Sequence, residues 1–174
     1  MDIYMRIPEN NRLKAEIEEI LKLCKESEAE YGEKASYFDE PVSEQEMTEW
    51  EEANGVKIPE SYKEWLRFTG KCRIVSNTAT FWGPKEFHSN FVPEDLVVIG
   101  EMVGDGEVVC FSKRNGHIIV FFEGKIDEEY ENFKGVLNEI MRMLGKKQKS
   151  DEEEAAEIEL MLKKLEEIRK RRNG

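Results

Sequence analysis

Apolar residues repeat at helical spacing near both ends of the chain and at strand spacing in between. The first stripe comprises Leu13, Ile17, Ile20, Leu21 and Cys24, at steps of three and four residues. This spacing places all five on one face of a helix, and it predicts a core-facing helix over residues 11–30.

Residues 43–70 have the signals of two short helices joined by a hinge. Ser43 is a good N-cap, and Glu46 follows three residues later as in a capping box. Gly55 suits the left-handed position that ends a helix, and Pro59 suits the first turn of the next one. Trp50, Tyr62 and Trp65 lie on the apolar faces of this pair, so we assign them to the core and not to a binding cage.

The period then changes to that of β-strands. The predicted strands are 72–76, 78–82, 96–99, 108–111 and 118–122. Short turns between them favour antiparallel pairing, and apolar residues on both faces require cover on each side. The sequence predicts an α+β fold, in which a curled, mainly antiparallel sheet of about five or six strands packs against N-terminal helices and a C-terminal helix.

A further helix is predicted to begin at the cap Asp127 and to end at Gly145. Residues 146–149 then read as a charged link, and Ser150 opens a terminal helix with one narrow apolar stripe. We expect one domain over residues 1–145 and an extension over 146–174. The terminal helix has three interpretations: docking on its own domain, self-association, or binding of a partner.

The order of these elements resembles a known family. The run Asn54-Gly55-Val56-Lys57-Ile58-Pro59-Glu60-Ser61-Tyr62-Lys63-Glu64-Trp65-Leu66, followed by Phe81-Trp82-Gly83, is similar to the signature of the SUKH superfamily. That superfamily contains yeast cell-wall-synthesis regulators and many bacterial toxin-immunity proteins. The resemblance covers residues 10–145 and implies a binding module that neutralises a toxin, frequently a nuclease.

Charge and cysteine content narrow the class of partner and the compartment. The net charge of −12 over 174 residues disfavours nucleic acid and anionic membranes as partners and favours a basic protein. The alternative is that the acidic surface only keeps the protein soluble. Cys24, Cys72 and Cys110 lie on apolar faces and are expected to be core residues. With no secretory signal or membrane span in the sequence, a cytoplasmic protein is expected.

Signs of catalysis are weak. His88 and His117 have no spacing typical of a ligand pair, and no nucleophile elbow, P-loop or zinc motif is present in the sequence. The turn 104–106 is typical of an ordinary hairpin. We therefore expect no enzyme activity, no catalytic residues, no metal and no cofactor.

The functional hypothesis is an acidic surface, anchored by exposed aromatic residues, that occludes the cationic site of a toxin. Its candidate residues are Asp39, Glu40, Trp82, Glu86, Phe87, Asp105 and Glu107. Trp82 and Phe87 have a core position as their alternative interpretation. The alternative function is a regulatory or scaffold protein that binds a peptide or protein client and uses the terminal helix for assembly.

Overall fold

The computed structural model describes residues 3–31, 35–103 and 106–173. Its α-helices are α1 (Lys14–Tyr31), α2 (Glu44–Asn54), α3 (Glu60–Leu66) and α4 (Phe133–Asn173). Its strands are β1 (Tyr37–Phe38), β2 (Lys71–Ile74), β3 (Ala79–Trp82), β4 (Leu96–Met102), β5 (Glu107–Ser112), β6 (Ile118–Phe122) and β7 (Lys125–Tyr130). Short 3-10 turns occupy Ile3–Arg6 and Pro84–Glu86. The chain divides into two units, Met1–Ile140 and Met141–Gly174.

The helix boundaries in the hinged pair follow the local chemistry of the sequence. Ser43 Oγ accepts a hydrogen bond from the Glu46 amide at 3.1 Å, which confirms the predicted N-cap of α2. Gly55 has a φ of 63° and donates its amide hydrogen to the Glu51 carbonyl, as the C-cap position requires. Pro59 lies one residue earlier than predicted, at the N-cap of α3.

A buried carboxylate joins α2 to α3. Glu51 is 6% exposed, and its side chain accepts a hydrogen bond from the Ile58 amide at 2.8 Å. Its other oxygen lies 3.1 Å from the Lys63 ammonium. The carboxylate thus fixes the hinge between the helices by satisfying a main-chain donor and a charge that would otherwise lack partners.

The described strands form one seven-stranded sheet, in which every strand is antiparallel to the next and spatial order equals chain order. The predicted α+β fold is confirmed, and the sheet of the described residues has seven strands where about five or six were predicted. Strand β1 has only two residues, and a segment so short carries no alternation from which it could be predicted.

The two faces of the sheet have separate apolar layers. On one face, the Phe81 ring lies 6.1 Å from Trp65 of α3 and 5.1 Å from Phe133 of α4. The neighbouring side chain, Trp82, lies on the opposite face because successive residues of a strand alternate. That second layer consists of Trp82, Leu96, Val98, Cys110, Ile119 and Phe121, with Phe87 and Val92 packed against it. Helices α3 and α4 thus pack on one face, and the segment that follows β3 packs on the other.

The predicted helix start at Asp127 is wrong, because residues 125–130 form strand β7. Glu123 and Gly124, both at positive φ, make a tight turn that folds this acidic segment back onto β6. Pairing with β6 therefore overrides the local helix signal. Helix α4 begins instead after Asn132, whose side chain accepts a hydrogen bond from the Lys134 amide at 2.9 Å.

The predicted helix end at Gly145 and the predicted link at 146–149 are also wrong, because α4 is continuous from Phe133 to Asn173. An interior glycine costs a helix roughly 1 kcal/mol but does not end it, and the lysines and glutamine that follow are good helix formers. Within the described residues, the second unit begins at Met141 and consists of this helix. The domain boundary at residue 145 stays a prediction.

Candidate functional site

A cleft of about 560 Å³ opens where three connections of the first unit meet. It lies among the link from β1 to α2, the junction of α3 with β2, and the turn that follows β3. Its lining residues are Phe38, Asp39, Glu40, Pro41, Val42, Glu46, Gly70, Lys71, Gly83, Lys85 and Glu86. We call this cleft the acidic groove.

Main-chain hydrogen bonds hold one wall of the acidic groove. The Asp39 amide donates to the Lys71 carbonyl at 2.8 Å, and the Gly70 amide donates to the Glu40 carbonyl at 2.8 Å. The Thr69 hydroxyl donates to the Asp39 carbonyl at 2.8 Å. Because these bonds use only the main chain of residues 39 and 40, both carboxylate side chains stay exposed to solvent.

Two glycines allow this close approach of the backbone. A β-carbon on Gly70 would lie 2.9 Å from a methyl group of Val42 and 3.0 Å from the Glu40 carbonyl oxygen. A β-carbon on Gly83 would lie 3.1 Å from both that methyl group and the Gly70 carbonyl oxygen. The groove therefore depends on glycine at both positions.

The lining residues carry more negative than positive charge. Four carboxylates face two lysines. Lys71 lies 3.2 Å from Glu86, and Lys85 lies 3.6 Å from Glu46. The hydrogen bond to Glu86 raises the pKa of Lys71 above its ordinary value.

The Glu40 carboxylate is accessible to a binding partner. Its side chain is 90% exposed and lies 3.9 Å from Arg6, at the limit of ion-pair distance. Ion pairs between exposed groups contribute at most about 1 kcal/mol, so a basic partner could compete for this carboxylate at small cost.

Three of the predicted binding residues, Asp39, Glu40 and Glu86, meet in the acidic groove. Glu107 does not, because it pairs with Met102, which pairs in turn with Ala79. Ala79 is at the end of β3 opposite the groove. Asp105 lies outside the described residues.

The two predicted aromatic contacts point into apolar layers. Trp82 is 9% exposed, and its indole nitrogen donates to the Val98 carbonyl at 3.4 Å. The ring of Phe87 is half-buried and lies 5.1 Å from Trp50. These side chains offer little free surface, and their part in binding stays a prediction.

Phe91 is an exposed aromatic residue that sequence reasoning missed. Its side chain is fully exposed, and its backbone has a φ of 64°, in the left-handed region. Few bulky residues adopt this conformation, because the β-carbon approaches the following carbonyl. The signal in the sequence is a phenylalanine directly after the turn formers Ser89 and Asn90, five residues beyond the groove residue Glu86.

Comparison with known proteins identifies the family of this chain. The profile of the SMI1 / KNR4 family (SUKH-1) matches residues 41–139, which is more than half of the chain. The chain belongs to the SMI1 / KNR4 family. The predicted resemblance to the SUKH superfamily is confirmed. Among curated proteins, none matches this sequence.

The SMI1 / KNR4 segment contains most of the acidic groove and Phe91. Asp39 and Glu40 lie just before it, and the helix beyond residue 139 lies after it. The SUKH-1 family includes toxin-immunity proteins and consists generally of non-catalytic binding proteins. The coarse part of the functional prediction, a family-level binding role, is thereby supported.

The two histidines of this SMI1 / KNR4 protein each contact one neighbouring side chain. The His88 ring stacks on Trp82 at 6.1 Å, and His117 Nδ1 lies 3.4 Å from a Glu129 carboxylate oxygen. Within residues 3–31, 35–103 and 106–173, no three histidine, cysteine or acidic side chains are grouped to hold a metal ion. In the same part of the chain, every helix is too short or too polar to cross a membrane.

Proposed function

We propose that this protein is an immunity protein that neutralises a cognate bacterial toxin by covering a basic surface of the toxin. The acidic groove and Phe91 form the contact surface in this proposal. The observation that carries it is a groove with excess carboxylates together with a fully exposed phenylalanine on the segment that leaves the groove.

Charge supports a basic partner. A nuclease toxin needs a cationic surface for its phosphate substrate, and a carboxylate-rich groove competes for that surface. Attraction between opposite charges also speeds association, by roughly 10- to 1,000-fold at low salt. Rapid capture suits an inhibitor that must act before the toxin finds its substrate.

Phe91 supplies the apolar anchor that the charged groove lacks. Interfaces gain most of their free energy from a few large side chains that become fully desolvated, and aromatic residues are prominent among them. The fully exposed ring of Phe91 adds no packing to the isolated protein, while its backbone has a left-handed conformation that is unfavourable for a residue with a β-carbon. We infer that the strain persists because Phe91 contacts a partner.

Co-expression with the toxin encoded beside this gene tests the proposal. The wild-type chain is expected to restore growth and to be recovered in a complex with the toxin. A groove variant with Asp39→Lys, Glu40→Lys and Glu86→Lys is expected to lose rescue, and Phe91→Ala is expected to weaken the complex.

The matched control carries Glu18→Lys, Glu19→Lys and Glu128→Lys, three exposed positions outside the acidic groove. It changes the net charge by the same amount and is expected to keep full rescue. Equal loss in both triple variants would mean that only net charge matters. Failure of the wild-type chain to bind or neutralise any toxin encoded next to it would reject the immunity function.

The alternative, a regulatory or scaffold protein with a peptide or protein client, is favoured by one observation. Helix α4 extends beyond the family segment and exposes large apolar residues there. A chain truncated after residue 145 separates the two functions, because toxin rescue should survive the truncation whereas client capture should not.

A further inference from the structure

The second unit exposes a continuous apolar stripe on one helix face. The stripe consists of Ala155, Ile158, Met161, Leu162, Leu165 and Ile168, whose spacings of three and four residues keep them together. The five large side chains among them are between 52% and 64% exposed. This spacing is the a/d pattern by which helices pair, sustained over two heptads.

The same helix is strongly polarised in charge. From 151 to 159 the sequence contains acidic residues and no basic residue. From 163 to 172 it is mostly basic and ends with Arg169, Lys170, Arg171 and Arg172. The helix therefore has an acidic half, a central apolar stripe and a basic end.

We propose that the stripe pairs with the same stripe of a second copy of this chain, in antiparallel orientation. In this pairing Ala155 faces Ile168, Ile158 faces Leu165, and Met161 faces Leu162 across the two-fold axis. The smallest side chain of the stripe thus meets a large one at each end, which fills the interface evenly.

Charge complementarity selects both the partner and the orientation. Antiparallel pairing sets the acidic half of each helix beside the basic end of the other. Parallel pairing would set Glu157 and Glu159 against their own copies in the other chain. It would also set the four basic residues 169–172 against the same four residues of the other chain, so like charges would repel. At the two ends of the stripe, where the acidic residues 151–154 face the basic residues 169–172, a second copy of the helix is therefore a partner of matching charge.

The short stripe sets the strength of the dimer. Two heptads form an interface near or below the lower limit of stable complexes, about 1,200 Å². We therefore expect a reversible, concentration-dependent dimer with a dissociation constant on the order of micromolar. The proposal is independent of toxin binding, since it uses only the helix beyond the family segment.

Sedimentation velocity of the full chain across a concentration series tests dimer formation. The mass is expected to rise from 20.4 kDa towards twice that value. Leu165→Glu, within the stripe, is expected to keep the protein monomeric at every concentration. Leu160→Glu is the matched control, because Leu160 is also exposed but lies on the opposite face of the same helix, and it should dimerise as wild type.

Salt dependence and cross-linking test the orientation. Opposite charges across an antiparallel interface are screened by salt, so the dimer should weaken as salt rises, whereas a parallel dimer should strengthen. In a mixture of an Ala155→Cys chain and an Ile168→Cys chain, oxidation should produce the mixed disulfide. The Ala155→Cys chain alone should remain uncrosslinked, because its two cysteines would be roughly 20 Å apart along the helix axis.

The native cysteines do not interfere with this assay, because Cys24, Cys72 and Cys110 are buried. A protein that stays monomeric at all concentrations would overturn the proposal, and so would equal loss of the dimer in both leucine variants. A disulfide between two Ala155→Cys chains would show parallel pairing and would overturn it as well.

Discussion

Phe91 combines full exposure with a left-handed backbone, so its effects on stability and on binding should separate. We expect Phe91→Gly to raise the free energy of unfolding by about 0.5–1 kcal/mol, because glycine adopts positive φ without strain and the exposed ring loses no packing. Phe91→Ala keeps the β-carbon and should leave stability near wild type. Urea unfolding measures the unfolding free energy of both variants. A glycine variant less stable than the wild type would contradict the inferred strain.

The hydroxyl of Tyr62 connects the core to the acidic groove. It donates a 2.5 Å hydrogen bond to the carbonyl of Trp82, the residue before Gly83 in the groove. Tyr62→Phe leaves that carbonyl buried without this donor, and we expect a loss of about 1–2 kcal/mol in unfolding free energy. Tyr37→Phe, at an exposed tyrosine, is the control and should change stability little.

The three thiols should be unreactive in the folded protein. Burial raises the pKa of Cys24 to about 11 and those of Cys72 and Cys110 to about 12. Since only the thiolate reacts, modification by a disulfide reagent at neutral pH should be slow and should accelerate as pH rises towards these values. The control is the protein unfolded in urea, in which all three thiols should react fully. A thiol that reacts in the native protein at the rate of a free cysteine would contradict the burial.

At the scale of elements, Glu51 should be the strongest single link between α2 and α3. Glu51→Ala removes the partner of the Ile58 amide and of the Lys63 ammonium. We expect a loss of about 2–3 kcal/mol, since both groups stay largely buried without a partner. Glu52→Ala, at the exposed neighbouring position, should cost less than about 0.5 kcal/mol in the same urea titration.

Elements were predictable from the sequence where local chemistry and packing agree. The capped helix α2 and the apolar strands β4, β5 and β6 have signals that do not depend on distant residues. Strand β7 has no such signal, because its acidic residues are placed by the turn before it and by pairing with β6. Gly145 predicts a helix end, whereas α4 continues through it because good helix formers follow the glycine.

The candidate site was predictable only in part, for a topological reason. In the sequence, Asp39 and Glu40 precede the first motif helix and Glu86 lies in the irregular segment after Trp82, and the sheet brings these segments together. Glu107 is the candidate from the predicted hairpin, and strand register places it at the other end of β3. Residue type identifies candidate charges, whereas register decides which of them share a surface.

At the scale of the whole molecule, the acidic groove should control the rate of partner capture. With Asp39→Lys, Glu40→Lys and Glu86→Lys, we expect association with the basic partner to slow roughly tenfold at low salt, because attraction becomes repulsion. Raising the salt concentration should narrow the difference in association rate between this variant and the wild type. Stopped-flow association at several salt concentrations measures this effect. An unchanged rate and an unchanged salt slope would remove the electrostatic mechanism.

Strand β7 borders the sheet on one side and presents Asp127, Glu128 and Glu129. Its pairing with β6 shifts between Val120 and Phe121, so Asp127 is an extra residue in the ladder. A bulge and a row of carboxylates are two devices that hinder the joining of sheets from separate molecules. We therefore expect this border to hinder edge-to-edge fibre growth between molecules at high protein concentration.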